Sequence, residues 1–114
     1  MELNVDKVSE KRAVVTPRGR INIATAPDMK GTLKRLADEG YIQLIVDMHA
    51  VTFIDSSGLA ALVSAFKVSR QAGGTVRLVG LNKQTITVFE ATLLDRVFEF
   101  YPDVTAALNS LPSL

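Results

Sequence analysis

Asp55-Ser56-Ser57-Gly58 stands directly before a run in which Leu59, Leu62, Val63 and Phe66 recur at i, i+3, i+4 and i+7. Two hydroxyls and a carboxylate therefore meet at the start of an amphipathic helix. Capping is one chemistry they can perform, since Ser or Asp at a helix start accepts hydrogen bonds from backbone N–H groups that have no partner inside the helix. The same geometry suits a second chemistry. A serine hydroxyl at the positive end of a helix dipole is well placed to carry a phosphate, whose charge would meet unpaired N–H donors and a favourable field. The two readings are compatible, and both stay open at this point.

Catalytic chemistry finds less support. A serine hydrolase of the α/β type needs a Gly-x-Ser-x-Gly elbow with a histidine later in the chain. Here the serine follows Asp55, and His49, the one histidine, precedes it. His49 is read as a surface histidine. Asp47 and Asp55 could in principle pair across a loop for acid–base work or magnesium, but Asp47 ends a strand and Asp55 precedes a helix, both ordinary places for aspartate. There is no Walker sequence, and Gly73-Gly74 lies where a helix should stop, so a phosphate-cradling loop is unsupported. The absence of cysteine excludes structural zinc, iron–sulfur, redox and cysteine-nucleophile readings. No enzyme activity, metal or cofactor is expected.

Charge and hydropathy narrow the partners. The chain has 13 basic and 12 acidic residues scattered along it, a net charge of +1, and so no field to draw nucleic acid. Met1-Glu2-Leu3-Asn4-Val5-Asp6 lacks the basic and apolar regions of a signal peptide, and no apolar run approaches the roughly 20 residues that span a bilayer. The expectation is a cytoplasmic protein that does not bind membrane.

The elements that must position Ser56 follow from periodicity. At 114 residues with 47% hydrophobic content, residues 1–114 read as a single domain with its own core. Residues 3–8 and 12–17 form a hairpin around Ser9-Glu10-Lys11; Pro17 ends its second strand and Gly19 turns the chain. Thr25-Ala26-Pro27-Asp28 offers an N-cap hydroxyl, an early proline and a first-turn carboxylate for a helix from about Pro27, with Met29, Leu33, Leu36 and Ala37 as its apolar stripe and Gly40 as its stop. Leu44-Ile45-Val46 within 41–48 is continuously apolar and predicts a central strand covered on both faces. Val76, Leu78 and Val79 make another, so 41–79 reads as strand, helix, strand with a parallel crossover. Asn82 caps a helix over about 83–92, Val97-Phe98-Glu99-Phe100 alternates as a short strand would, and Pro102-Asp103 opens a last helix that packs Val104 and Leu108. The fold class is α/β, a mixed sheet of four to five strands flanked by about four helices. On the helix after Gly58, Leu59, Leu62, Val63 and Phe66 are expected to face inward and Ala60, Ala61, Ser64 and Val68 outward.

These residues carry a resemblance. Leu44-Ile45-Val46-Asp47-Met48 followed by Val51-Thr52-Phe53-Ile54-Asp55-Ser56-Ser57-Gly58-Leu59 closely resembles the signature of STAS domains, named for sulfate transporters and anti-sigma factor antagonists. Gly19, Thr25-Ala26-Pro27, Val79-Gly80-Leu81-Asn82 and Leu94-Asp95-Arg96-Val97-Phe98 extend the likeness over almost the whole chain. A stand-alone domain of this length is similar to the anti-sigma factor antagonist branch. The resemblance implies that Ser56 is the phosphorylated serine. It further implies that a serine kinase of the histidine-kinase-like ATPase fold, itself the anti-sigma factor, both modifies Ser56 and is captured by the unmodified protein, which releases the sigma factor. A PP2C-type phosphatase would reverse the mark, and the antagonist is expected to be a monomer. Asp55, Ser56, Ser57, Gly58, Leu59, Ala61 and Ser64 would form the partner surface, together with Arg20 and Asn22. At these last two positions many members carry acidic residues. The change alters charge at the docking edge, and rim charge sets specificity and on-rate more than fold. The alternative role within the family is a structural subunit of a transporter or a stress-signalling assembly, in which Ser56 would serve only the helix start.

Overall fold

Leu44, Ile45 and Val46 have no exposed surface, which demands cover on both faces of their strand and a neighbour on each edge. The computed structural model describes residues 1–113 and supplies both. Strands β1 (Leu3–Ser9), β2 (Arg12–Pro17), β4 (Gln43–Asp47), β6 (Thr75–Val79) and β7 (Phe100–Tyr101) form one sheet in the order β1-β2-β4-β6-β7. The β1–β2 hairpin is antiparallel and every other pairing in the sheet is parallel. Two further strands that periodicity does not reveal, β3 (Gly19–Ile21) and β5 (Val51–Ile54), pair in parallel as a separate ribbon. Helices α1 (Ala26–Asp38), α2 (Ser56–Gln71), α3 (Lys83–Ala91) and α4 (Val104–Ser110) complete the α/β fold.

Alternation along the strands divides the interior in two. Ala13, Val15, Leu44, Val46, Val76 and Leu78 face the larger core, closed by Met29, Leu33 and Leu36 of α1, Leu59 and Leu62 of α2 and Phe89 of α3. Val14, Ile45 and Val79 face the other way and meet Ala107 and Leu111, on and just after α4, with Tyr101, Val104 and Leu108 packed beside them. The last helix thus packs the two side chains its pattern predicts. Asp103 caps it by accepting from the Ala106 N–H at 2.8 Å, and Asn82 caps α3 by accepting from the Thr85 N–H at 2.9 Å.

The return from α2 to β6 depends on glycine. A Cβ on Gly74 would lie 2.0 Å from the Ile42 carbonyl oxygen, so no larger residue passes β4 at this separation.

The strand expected over 97–100 is shorter and later. Only Phe100 and Tyr101 pair with β6, after a 3₁₀ turn at Leu94–Arg96 and a left-handed Leu93 at φ 63°. The alternation there has another cause. Phe98 and Phe100 both turn onto Phe89, with ring centroids 5.7 and 5.4 Å away, and Phe98 also meets Phe66 at 5.2 Å. Among the described residues no helix is long and apolar enough to cross a membrane.

Candidate functional site

The β3–β5 ribbon sets the start of α2. Ile21 and Ile54 sit side by side in register and are buried, and the Ile21 carbonyl accepts the Asp55 N–H at 3.1 Å. Asp55 is held in extended backbone as the N-cap, where its Oδ1 accepts from the N–H groups of Ser57 at 2.9 Å and Gly58 at 3.2 Å. Gly58 then lies against both isoleucines. A Cβ there would come within 2.6 Å of Ile54 Cγ1 and 2.8 Å of Ile21 Cγ2. The closeness of α2 to the ribbon therefore depends on this glycine.

Capping thus falls to Asp55 and not to either serine. Ser56 is the first residue of α2, exposed, and its hydroxyl has no hydrogen-bond partner among the described residues. One expectation needs correction. A phosphate on Ser56 would not find the first-turn N–H groups free, because the Asp55 carboxylate already occupies two of them and adds like charge beside the modified oxygen.

Thr25 also departs from its expected role. It occupies the N-cap of α1 without a side-chain capping bond. Its hydroxyl instead donates to the Arg20 carbonyl at 2.7 Å and accepts the Asn22 N–H at 2.9 Å. Asn22 Oδ1 accepts from the N–H groups of Ala24 at 3.0 Å and Thr25 at 3.2 Å. These bonds fold residues 22–25 into a tight loop that pushes Ile23 outward, leaving it 78% exposed. Ile23, Pro27 and Lys30 face Ser57 and Ala60 across a groove of about 410 Å³ that Ala26 and Ala61 also line. Next along the ribbon, the Arg20 guanidinium lies 4.3 Å from the centroid of the Phe53 ring.

The structure therefore gathers the sequence-predicted residues unevenly. Asp55, Ser56 and Ser57 lie at one helix end, while Gly58 and Leu59 are buried beneath them. Ala61 is not outward as expected but 2% exposed, on the side of α2 that shares a groove with Pro27 and Lys30 of the closely packed α1. Val63 and Phe66, expected inside, are only half-buried; Ser64 and Val68 are half-buried as well, and Ala60 is exposed. Ile23 and Lys30 escaped sequence reasoning. The available signal was a large apolar side chain alone in a short segment between Asn22 and Thr25, whose side chains favour turns.

The other acidic candidates separate. Asp47 accepts the His49 N–H at 3.1 Å and faces its Nδ1 at 2.8 Å, whereas Asp55 serves α2. No group of three metal-ligating side chains occurs among the described residues. Far from Ser56 in sequence, the Tyr101 hydroxyl donates to Glu99 at 2.6 Å and, with the Arg77 guanidinium beside it, holds the Glu99 carboxyl below its ordinary range.

The STAS domain family model matches residues 4–107, which include every element from β1 to the middle of α4. The chain belongs to the STAS domain family. Among its relatives, an anti-sigma-B factor antagonist of Bacillus subtilis strain 168 is 32% identical over 100 residues, covering 87% of this STAS chain and 91% of that protein. An anti-sigma factor antagonist from Mycobacterium paratuberculosis has a crystal structure that superposes with a TM-score of 0.85 at 25% identity, over 96% of this chain and 92% of that one. The Bacillus cell fate determinant SpoIIAA in its phosphorylated form shares the fold, with a TM-score of 0.75 at 15% identity over 95% of this chain and 97% of its own.

Proposed function

We propose that this STAS protein is an anti-sigma factor antagonist switched by phosphorylation of Ser56. With Ser56 unmodified it captures an anti-sigma factor that is also a serine kinase of the histidine-kinase-like ATPase fold, and the sigma factor is released. Phosphate on Ser56 ends the capture, and a PP2C-type phosphatase restores it. The observation that carries this reading is the division of labour at the start of α2. Asp55 performs the capping, so the exposed Ser56 hydroxyl is left without a structural task directly beside an apolar groove.

The switch works by local charge. In the free protein a Ser56 phosphate faces solvent, where its repulsion from Asp55 is weakened by water. In the complex it lies in the kinase active site among nucleotide phosphates of like charge, stripped of solvent. A loss of about 4 kcal/mol from a buried and unpaired charge lowers affinity about a thousandfold. The test incubates the protein with the purified kinase and ATP, maps the modified residue by mass spectrometry, and measures kinase binding by both forms. Modification at Ser56 with abolished binding is expected. Equal affinity of the two forms, or modification elsewhere, refutes the proposal.

A further inference from the structure

The face around Ser56 has a charge and a shape of its own. Among the described residues Ile23 is the most exposed large apolar side chain at 78%, and it stands at one wall of the groove, across from Ser57 and Ala60. A bare isoleucine held up by four hydrogen bonds within residues 20–25 is ordered in advance, so little entropy is lost when a partner covers it. The groove lining contains one charged residue, Lys30, and no carboxylate. Arg20, exposed on the adjoining ribbon, adds a second cation whose guanidinium is oriented by the Phe53 ring. Two acids on the flanking elements are engaged: Asp55 accepts from two N–H groups, and Asp28 pairs with the N-terminal amine at 2.8 Å.

We infer that Ile23, Arg20 and Lys30 form a specificity edge that selects a kinase whose contact surface is an apolar pocket bordered by carboxylates. The inference rests on the proposed function and names the chemistry of that partner. Burial of Ile23 supplies residence time, because apolar contacts at the centre of an interface act on dissociation. The two cations supply steering, because complementary rim charge acts on association and is screened by salt. Phosphorylation then acts twice. A group of charge about −1.5 to −2 outweighs the net positive charge that Arg20, Lys30 and Asp55 leave on this face, and it meets the carboxylates of the partner directly.

The test uses the kinase of the histidine-kinase-like ATPase fold, purified from the same organism, and follows association and dissociation at low and high salt. The Arg20→Glu, Lys30→Glu double variant should associate at least about tenfold more slowly at low salt, with its salt dependence flattened or inverted. Ile23→Ala should dissociate at least about tenfold faster with little change in association. Lys11→Glu, in the β1–β2 turn, should leave both rates unaltered. All four substituted positions are exposed, and melting temperatures matching the parent confirm that contacts alone are changed. A double variant that associates as fast as the parent, or faster, overturns the inference. If binding still responds to Ser56 phosphorylation in that case, the proposed function survives and only the specificity edge falls. Absence of any phosphorylation-sensitive binding overturns both.

Discussion

Replacing Gly58 by alanine adds one methyl group in the tightest place of the site. Its carbon would sit 2.6 Å from Ile54 Cγ1 and 2.8 Å from Ile21 Cγ2, about 1 Å inside normal carbon–carbon contact. Neither isoleucine has room to retreat, at 1% and 0% exposure. Overpacking of a filled core costs about 1–3 kcal/mol, and the better helix propensity of alanine returns at most about 1 kcal/mol. The net loss is about 1–2 kcal/mol. At this chain length that lowers the melting temperature by about 4–8 °C. The cheapest relaxation moves the first turn of α2 away from the ribbon, so Ser56 shifts with it and kinase binding weakens too. Urea unfolding of Gly58→Ala, Ile54→Ala and the double variant measures the effect. Ile54→Ala alone should cost about 2–5 kcal/mol, and the double variant should cost at least about 1 kcal/mol less than the two single losses together, because the added methyl enters the space Ile54 vacates. Strictly additive losses, or an unchanged midpoint for Gly58→Ala, refute the packing argument.

Asp55→Ala removes the α2 cap and should lower stability by about 0.5–2 kcal/mol in urea unfolding, while Ser57→Ala, which removes no capping bond, stays near the parent. Ala61→Arg places a charge in the α1–α2 contact and should cost about 3 kcal/mol or more, whereas Ser64→Arg on the half-buried flank should keep the fold and weaken kinase binding; circular dichroism separates the two. The Glu99 carboxyl is lowered chiefly by the Tyr101 hydroxyl and then by the Arg77 charge, so its stabilisation is complete above the ordinary carboxylate range and fades as pH falls through the folded-state value. Glu99→Gln should therefore flatten the acid limb of a stability-against-pH curve and leave neutral pH little changed, since the group is exposed.

What the sequence revealed about this fold depended on side-chain size. β4, β6 and the inner face of α1 were legible because Leu44, Ile45, Val46, Met29, Leu33 and Leu36 are large and regularly spaced. The small-residue part of the buried surface of α2 was not. Its buried stripe runs through Gly58, Ala61, Ala65 and Ser69, residues that hydropathy ignores and that helices use to approach each other closely. Reading Leu59, Leu62, Val63 and Phe66 as the whole inner face therefore turned Ala61 outward. β3 and β5 were missed because three- and four-residue strands are too short for a period to establish itself. At the site, Asp55, Ser56 and Gly58 were found by type and order. That the carboxylate and not a hydroxyl caps the helix needed the extended backbone of Asp55, which local sequence does not specify.

The unequal cover of the sheet gives the chain two kinds of vulnerability. Among the described residues, Val14, Ile45 and Val79 are covered on their side chiefly by the seven residues of α4 and Leu111, with Tyr101 of β7 packed beside them. Terminal segments packed as a small cluster of their own open locally at a lower cost than the central strands do. Detachment bares apolar strand surface to proteases and chaperones, yet leaves the ribbon, α1 and α2 in place on the opposite layer. Variation beneath α4 is then felt as cellular abundance, through quality control of the opened form. Under the proposed function, variation around Ser56 is felt as the choice of partner, so the amount of the protein and its wiring can evolve on separate layers of one small sheet.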